Sequence, residues 1–490
     1  MTMKPTDEQA GIIDAAAAGK NTVIQAGAGT GKTSTLKMVA RKLNNRSAIY
    51  IAYNKSIATE AAASFPDTVS CRTSHSLAMR AIGHKYAHRL RGPRELPERR
   101  VQVLGTPWIE LSDTVKIPPR QAARIALETV MRYCYSADDE IDVTHMPKQN
   151  GVEGSDHWEL AKRVVPYAKR AWADLCSRDG LLKLQHDHYL KMWALTRPEL
   201  PAEVVMLDEA QDSNPLVAQL VQSQTHAQQI AVGDSNQSLY QWRGAVDALG
   251  DWPADEVHYL TQSWRFGPVI ADEANRWLAQ IDTPLRLTGN PQISSELVTL
   301  GAPKAILCRT NGEAMNQVMT LLSAGVRVAL AGGGSDIAAL ARAAQELKSG
   351  RRTSHPELYV FATWGALQDY VDNDHGGRDL KPFVDLIDTH GPETVLEAVN
   401  ALVDEKACAT YVSTSHRSKG REWDSVKIAN DFGESPDGEI SKVDGMLAYV
   451  AVTRARRQLD RGGLAWIDKY SEPAKPAAPV QAPVAPPIAS

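Results

Sequence analysis

The sequence predicts an α/β protein made of two parallel-sheet lobes with a mostly helical insertion in each. Short apolar, β-branched runs alternate with helical stretches, the order that a parallel sheet flanked by helices requires. The runs fall into two groups: 22–26, 48–53, 204–207, 230–232 and 257–260, then 305–308, 326–331, 410–413, 426–429 and 447–452. Between the second and third runs of the first group, residues 76–201 show helical periodicity and little strand character; a second insertion, 334–407, interrupts the second group. The expected organisation is a first lobe of residues 1–75 plus 202–262 around the insertion 76–201. A second lobe of 263–333 plus 408–470 surrounds the shorter insertion 334–407, and the Pro/Ala-rich stretch 471–490 is expected to be disordered.

Composition limits the function classes. A chain of 490 residues is too long for one core. A formal charge of -4 and a pI near 6.4 exclude a globally basic coat, so nucleic acid would have to bind in a local groove. The five cysteines lie far apart with no C-x-x-C spacing, which argues against zinc and for a reducing compartment. No signal peptide and no apolar run of membrane-spanning length can be read. The expected setting is cytoplasmic, in a bacterium or encoded by a phage, with no membrane partner.

The run 22–26 ends in AGAGTGKT, comprising Ala26, Gly27, Ala28, Gly29, Thr30, Gly31, Lys32 and Thr33, with Ser34 following. Such a turn between strand and helix aims successive backbone N–H groups at phosphates. Lys32 is expected to reach the β- and γ-phosphates and Thr33 to hold Mg²⁺. Ala26 departs from the strict pattern, which begins with glycine. The run 204–207 ends in Asp208 and Glu209, at the strand edge where open parallel sheets bind ligands. Phosphoryl-transfer chemistry divides the work: Asp208 holds the metal, and Glu209 orients and deprotonates the attacking water.

The run 230–232 leads into GDSNQSLYQWRGA. There Gln237 is placed to sense a γ-phosphate, Tyr240 and Trp242 offer faces on which bases stack, and Arg243 can pair with a phosphate. Seven Lys/Arg between residues 80 and 100 offer a weaker sign of phosphate contact, since a charge run is more often a solvated helix face. His75 and His416 read as polar DNA-side residues and the other histidines as ordinary surface.

Together these segments resemble superfamily 1 helicases of the UvrD/Rep group, which have two RecA-like lobes. The resemblance runs through both lobes in order. Gln9 in TDEQ is similar to the family's adenine-reading glutamine. YNKSIATE, with Tyr53, Asn54 and Lys55, and RTSHSLA, with His75, resemble the first-lobe DNA-contact motifs. LTQSWRF supplies Trp264 as the adenine-stacking aromatic before Arg265. CRTN contributes Arg309, and STSHRSKGREWDSV contributes His416 to DNA and Glu422 to the ribose. YVAVTRAR closes the set with Arg454. The resemblance implies ATP and Mg²⁺ as cofactors, single-stranded DNA and single/double-strand junctions as partners, and 3′ to 5′ movement.

Arg265 and Arg454 also make sense on physical grounds. Arginine supplied across a cleft stabilises the charge spread over a γ-phosphate in the transition state. The chain departs from the family in its short second insertion, in Ser34 where arginine is common, and in Arg421 and Trp423 flanking Glu422. Two other classes stay open: a DNA-stimulated translocase that strips proteins from single strands without unwinding, and a P-loop ATPase with no nucleic-acid partner.

Overall fold

The computed structural model describes residues 4–43, 45–91, 96–112, 115–239, 249–373, 380–434 and 438–470. The chain folds as two six-stranded parallel sheets covered by helices. The first sheet contains β1 (Thr22–Ala26), β2 (Ala48–Ile51) and β3 (Val69–Arg72). A two-stranded hairpin of β4 (Ile109–Glu110) and β5 (Lys116–Ile117) lies within the first insertion. The sheet is completed by β6 (Val204–Leu207), β7 (Gln228–Gly233) and β8 (Glu256–Leu260), in the order β3-β2-β6-β7-β1-β8. The second sheet comprises β9 (Glu296–Leu297), β10 (Ala305–Cys308), β11 (Val328–Leu330), β12 (Thr410–Thr414), β13 (Trp423–Ile428) and β14 (Ala455–Asp460), ordered β11-β12-β10-β13-β14-β9.

Parity along the strands explains why these runs are apolar throughout. In β6, Val205 and Leu207 face a core shared with the helices of the first insertion, while Val204 and Met206 face the opposite core with Ile24 and Tyr50. The second sheet is buried on both faces in the same way: Ala305 and Leu307 point one way, Ile306 and Cys308 the other. A strand with two dry faces reads as a continuous hydrophobic run.

Several expectations need correction. Residues 447–452 form no strand; they are the end of a helix, Lys442–Val452, opened by Ser441, whose side chain accepts the Asp444 N–H. The helix is buried from Gly445 to Val452, so it carries no polar face to betray its period. The strand belongs further on, at β14. The run at 426–429 does form a strand, β13, which starts earlier, at Trp423, and ends at Ile428. β3 and β9, too short or too polar to stand out, had no sequence counterpart.

Among the histidines, His145 and His188 are buried rather than on the surface. Within the basic run, Arg89 is buried as well. It donates to the carbonyls of Leu175 and Ser177 at 2.9 and 2.6 Å, closing the C-terminus of the helix Gly154–Cys176. That arginine is structural, because Nη1 is taken by carbonyls at the helix end and Nη2 by the Leu182 carbonyl.

Candidate nucleotide cleft and nucleic-acid groove

The glycine-rich turn after β1 adopts the backbone its sequence requires. Gly29 and Gly31 have φ of 74° and 83°, and Gly31 is the N-cap of the helix Lys32–Lys42. A Cβ on Gly29 would lie 2.6 Å from Arg265 Cβ, so glycine there lets the opposing segment close on the turn. Ala26, Gly27, Ala28 and Thr30 continue the loop, and the Thr30 hydroxyl donates to the Gly27 carbonyl at 2.9 Å. Ser34 stands in the first turn of the following helix.

β6 delivers two carboxylates beside this turn. Lys32 Nζ is 3.2 Å from Glu209 Oε2, and Thr33 Oγ1 donates to Asp208 Oδ2 at 3.3 Å. Glu209 sits in the left-handed region with φ of 51°, which turns its side chain toward Lys32 instead of along the strand axis. Tyr50, from β2, donates its hydroxyl to Asp208 Oδ2. Burial and the neighbouring Glu209 charge raise the Asp208 pKa from its ordinary value. For Glu209, burial acts the other way from the Lys32, Gln211 and Lys419 partners, and the partners win: its pKa falls to about 2. Lys32 stays above its ordinary value against burial, because Glu209, Asp234 and Asp208 surround it. A hydroxyl and a carboxylate oxygen converging beside this turn are hard oxygen donors of the kind Mg²⁺ takes, so Thr33 and Asp208 would be the residues to hold it.

The second lobe meets this site directly. Arg454, 1% exposed, donates from Nη2 to Gln237 Oε1 at 3.3 Å. Burial and Arg265 bring its pKa down to about 9. Arg265 Nε donates to Glu422 Oε2 at 2.6 Å. Trp264 donates its backbone N–H to the Gly29 carbonyl at 2.8 Å and leaves its ring half exposed beside Gly31, next to the glycine-rich turn. Gln9 is nearly buried; its Nε2 donates to Thr35 Oγ1 at 3.1 Å while Oε1 accepts the Thr6 N–H. An amide has a second N–H and a second lone pair, so both edges retain capacity for a base. Arg421 and Trp423 both pack on Tyr411, Arg421 4.8 Å above the ring and Trp423 stacked at 5.6 Å; they brace the turn that presents Glu422.

Residues that sequence reasoning passed over complete the cleft. Asp234 accepts from Gln237 Nε2, Asn236 N and Tyr449 OH. Tyr449, from the helix Lys442–Val452, also accepts the Ala28 N–H at 2.9 Å. Gln211 donates to Glu209 at 2.7 Å and accepts the Asp234 N–H at 3.0 Å. Lys419 donates to Asp212 Oδ1 and to the Gln237 carbonyl, both at 2.6 Å. For three of them the available signal was position within a motif: Asp234 in GDSNQSLYQWRGA, Lys419 in STSHRSKGREWDSV and Tyr449 in YVAVTRAR.

The residues expected at DNA follow β2, β3, β10 and β12. Tyr53, Asn54 and Lys55 follow β2, and Asn54 caps the helix Lys55–Ala62 through the Ile57 N–H. His75 Nε2 lies 3.0 Å from Asp187 of the first insertion. In the second lobe Arg309 follows β10 and donates to Asp444 at 2.6 Å; His416 follows β12, its pKa lowered by burial and by Arg309. Tyr240, Trp242 and Arg243 lie outside the described residues.

Known proteins add family context. Residues 9–243 match the family described as an AAA domain. The chain is 30% identical to the F-box DNA helicase 1 of Gallus gallus, over 93% of this chain and 49% of that one. It is 28% identical to the F-box DNA helicase protein 1 of Schizosaccharomyces pombe, over 89% and 55%. A match to the DNA helicase II of Haemophilus influenzae, 24% identical, covers 53% of this chain and 38% of that protein. The chain thus spans about half the length of the two F-box relatives. Animal and fungal relatives give no support to the expected bacterial or phage source. Among the described residues no helix is long and apolar enough to cross a membrane.

Proposed function

Because the chain belongs to superfamily 1, in the UvrD/Rep-like group, we propose that it is an ATP-dependent DNA helicase. It moves along single-stranded DNA in the 3′ to 5′ direction and separates strands at single/double-strand junctions. The observation that carries this reading is the convergence at one cleft of Lys32, Asp208 and Glu209 from one lobe with Arg265 and Arg454 from the other.

In this scheme Lys32 and the turn's N–H groups bind the β- and γ-phosphates of ATP. Trp264 stacks on adenine, Gln9 reads its edge and Glu422 meets the ribose. Mg²⁺, held through Thr33 and Asp208, would neutralise charge on the phosphate oxygens. Glu209 begins as a weak base because Lys32 faces it; a phosphate that draws the ammonium away leaves a more basic carboxylate to accept the proton of the attacking water. Arg265 and Arg454 stabilise the transferring group, and Gln237 joins that group to the segment carrying Tyr240, Trp242 and Arg243. Tyr53, Asn54, Lys55, His75, Arg309 and His416 are assigned to the strand itself.

Steady-state ATP hydrolysis with and without single-stranded DNA tests the reading, and a rate indifferent to DNA sinks it. Glu209→Gln is expected to lower turnover at least about 100-fold, in the range for losing a general base, while nucleotide binding survives. Strand displacement on a tailed duplex separates unwinding from displacement of proteins on single strands.

A further inference from the structure

The amide of Gln9 is held from both ends. Gln9 is the third residue of the helix Asp7–Ala17 and closes its capping box: Thr6 Oγ1 accepts the Gln9 N–H, and Gln9 Oε1 accepts the Thr6 N–H at 3.1 Å. A backbone N–H can only donate, so this contact fixes which end of the amide is oxygen. At the other end Nε2 donates to Thr35 Oγ1 at 3.1 Å. Thr35 is fully buried, and its own hydroxyl proton goes to the Gly31 carbonyl at 3.1 Å. It therefore meets Gln9 as an acceptor alone. Turning the amide over would set N–H against N–H at Thr6 and oxygen against oxygen at Thr35, at a residue only 6% exposed.

What remains on the amide decides which base it can pair. A primary amide has two N–H groups and two lone pairs on its oxygen. Thr35 takes one N–H and Thr6 one lone pair, which leaves a single donor beside a single acceptor. Adenine presents its 6-amino donor next to the N7 acceptor and matches that pair, whereas a 6-oxopurine presents two acceptors, O6 and N7. Such a base needs both amide N–H groups, and Thr35 has consumed the second. Trp264 is set in the same frame: Glu8, the neighbour of Gln9, accepts from the Thr261 N–H at 3.0 Å and from its hydroxyl at 2.5 Å, and Thr261 opens the segment TQSW that ends in Trp264.

We propose that Thr35 is the positioning residue that sets base choice: by holding one N–H of Gln9 it restricts the site to adenine nucleotides and excludes 6-oxopurine nucleotides. The inference rests on the proposed assignment of Gln9 and Trp264 to the base, and deepens it by naming the residue that makes the pairing selective. The same hydroxyl bonds the Gly31 carbonyl, so base reading is tied to the glycine-rich turn.

The test compares ATP with inosine triphosphate, whose base carries a 6-oxo group in place of the 6-amino group. Hydrolysis of each is measured as kcat/KM on the full chain, with and without single-stranded DNA. The unaltered protein is expected to favour ATP by about tenfold or more, because a site built to pair one polar group rejects its mismatched analogue. Thr35→Val removes the acceptor at nearly constant shape and frees the second N–H. It is expected to shrink that preference about fivefold or more, the effect of one hydrogen bond. Thr35→Ser keeps the acceptor and is expected to keep the preference. Damage to packing alone lowers both nucleotides together and leaves their ratio unmoved. Thr35→Ala carries the same expectation should the valine variant fail to fold. A preference that survives in the valine and alanine variants overturns the role of Thr35. Equal use of both nucleotides by the unaltered protein overturns it too, by taking Gln9 away from the base. Hydrolysis that DNA does not stimulate is a different result: it removes the helicase reading, while the ratio measured without DNA still decides the role of Thr35.

Discussion

Tyr449 shows how much a single hydroxyl can carry in this site. It is fully buried, donates to the Asp234 carboxylate at 2.8 Å and accepts the Ala28 N–H, so one oxygen spans the lobes. Asp234 in turn holds Gln237, which meets Arg454. Tyr449→Phe keeps the ring's packing, strands the buried Ala28 N–H and leaves Asp234 Oδ2 with Gln237 Nε2 as its donor, an expected cost of about 1–3 kcal/mol in stability. On the proposed function the effect should be larger on DNA stimulation of ATP hydrolysis than on the basal rate, since Asp234 links Tyr449 and Ala28 of the glycine-rich turn to Gln237. Denaturant unfolding and the stimulated-to-basal ratio check both. A variant with an unchanged ratio would reduce Tyr449 to packing. At this scale the motif residues Lys32, Thr33, Asp208 and Glu209 were legible because phosphate chemistry demands those types at those spacings. Tyr449 and Tyr50 were not legible, because their roles arise only from partners 421, 215 and 158 residues away in the chain.

Elements were readable where one face differs from the other or where length is decisive. Runs 22–26 and 204–207 appear as strands since both their faces are dry, whereas Lys442–Val452 deceived for the same reason: a helix buried all round has no period to read. Its N-cap Ser441 was the sign that should have arbitrated. The helix His186–Ala194 of the first insertion carries its own test. His188 accepts the Gln185 N–H at its start and is 2% exposed, and burial lowers its pKa to about 4. A base with a depressed folded pKa contributes stability that is present above pH 6.5 and is lost as the pH falls toward 4, where the unfolded chain binds the proton first. The shift corresponds to at most about 3 kcal/mol. Thermal unfolding followed from pH 7 to pH 4 is expected to show that decline, and His188→Asn is expected to flatten it. A variant declining as steeply as the original would assign acid sensitivity to other groups.

For the whole molecule, the question is what holds the lobes together when no nucleotide does. The first lobe contributes Ala28 and Leu239 to the second lobe's core, and Lys419 reaches across to Asp212 and the Gln237 carbonyl. Asp212 is buried enough that its pKa rises to about 6 even with the ammonium beside it. Removing that ammonium therefore leaves a carboxyl that takes up a proton, which softens the several-kcal/mol penalty of an orphaned buried charge. Lys419→Met should accordingly fold, yet lose two of the bonds that close the cleft. The second insertion also touches the first, where Tyr359 donates to Gln149 and Asn150 to the Glu357 carbonyl, so the lobes are expected to open as a hinge about that contact and not to separate. Small-angle scattering without nucleotide should then show the radius of gyration rising by about 1 Å or more above the roughly 23 Å of a compact chain this long. A non-hydrolysable nucleotide should bring it back, because Arg265 and Arg454 gain a phosphate to grip in place of the lost bridge. If the variant scatters like the original in both conditions, the bridge does not set the spacing of the lobes, and closure rests on the Tyr449 contact and the shared core.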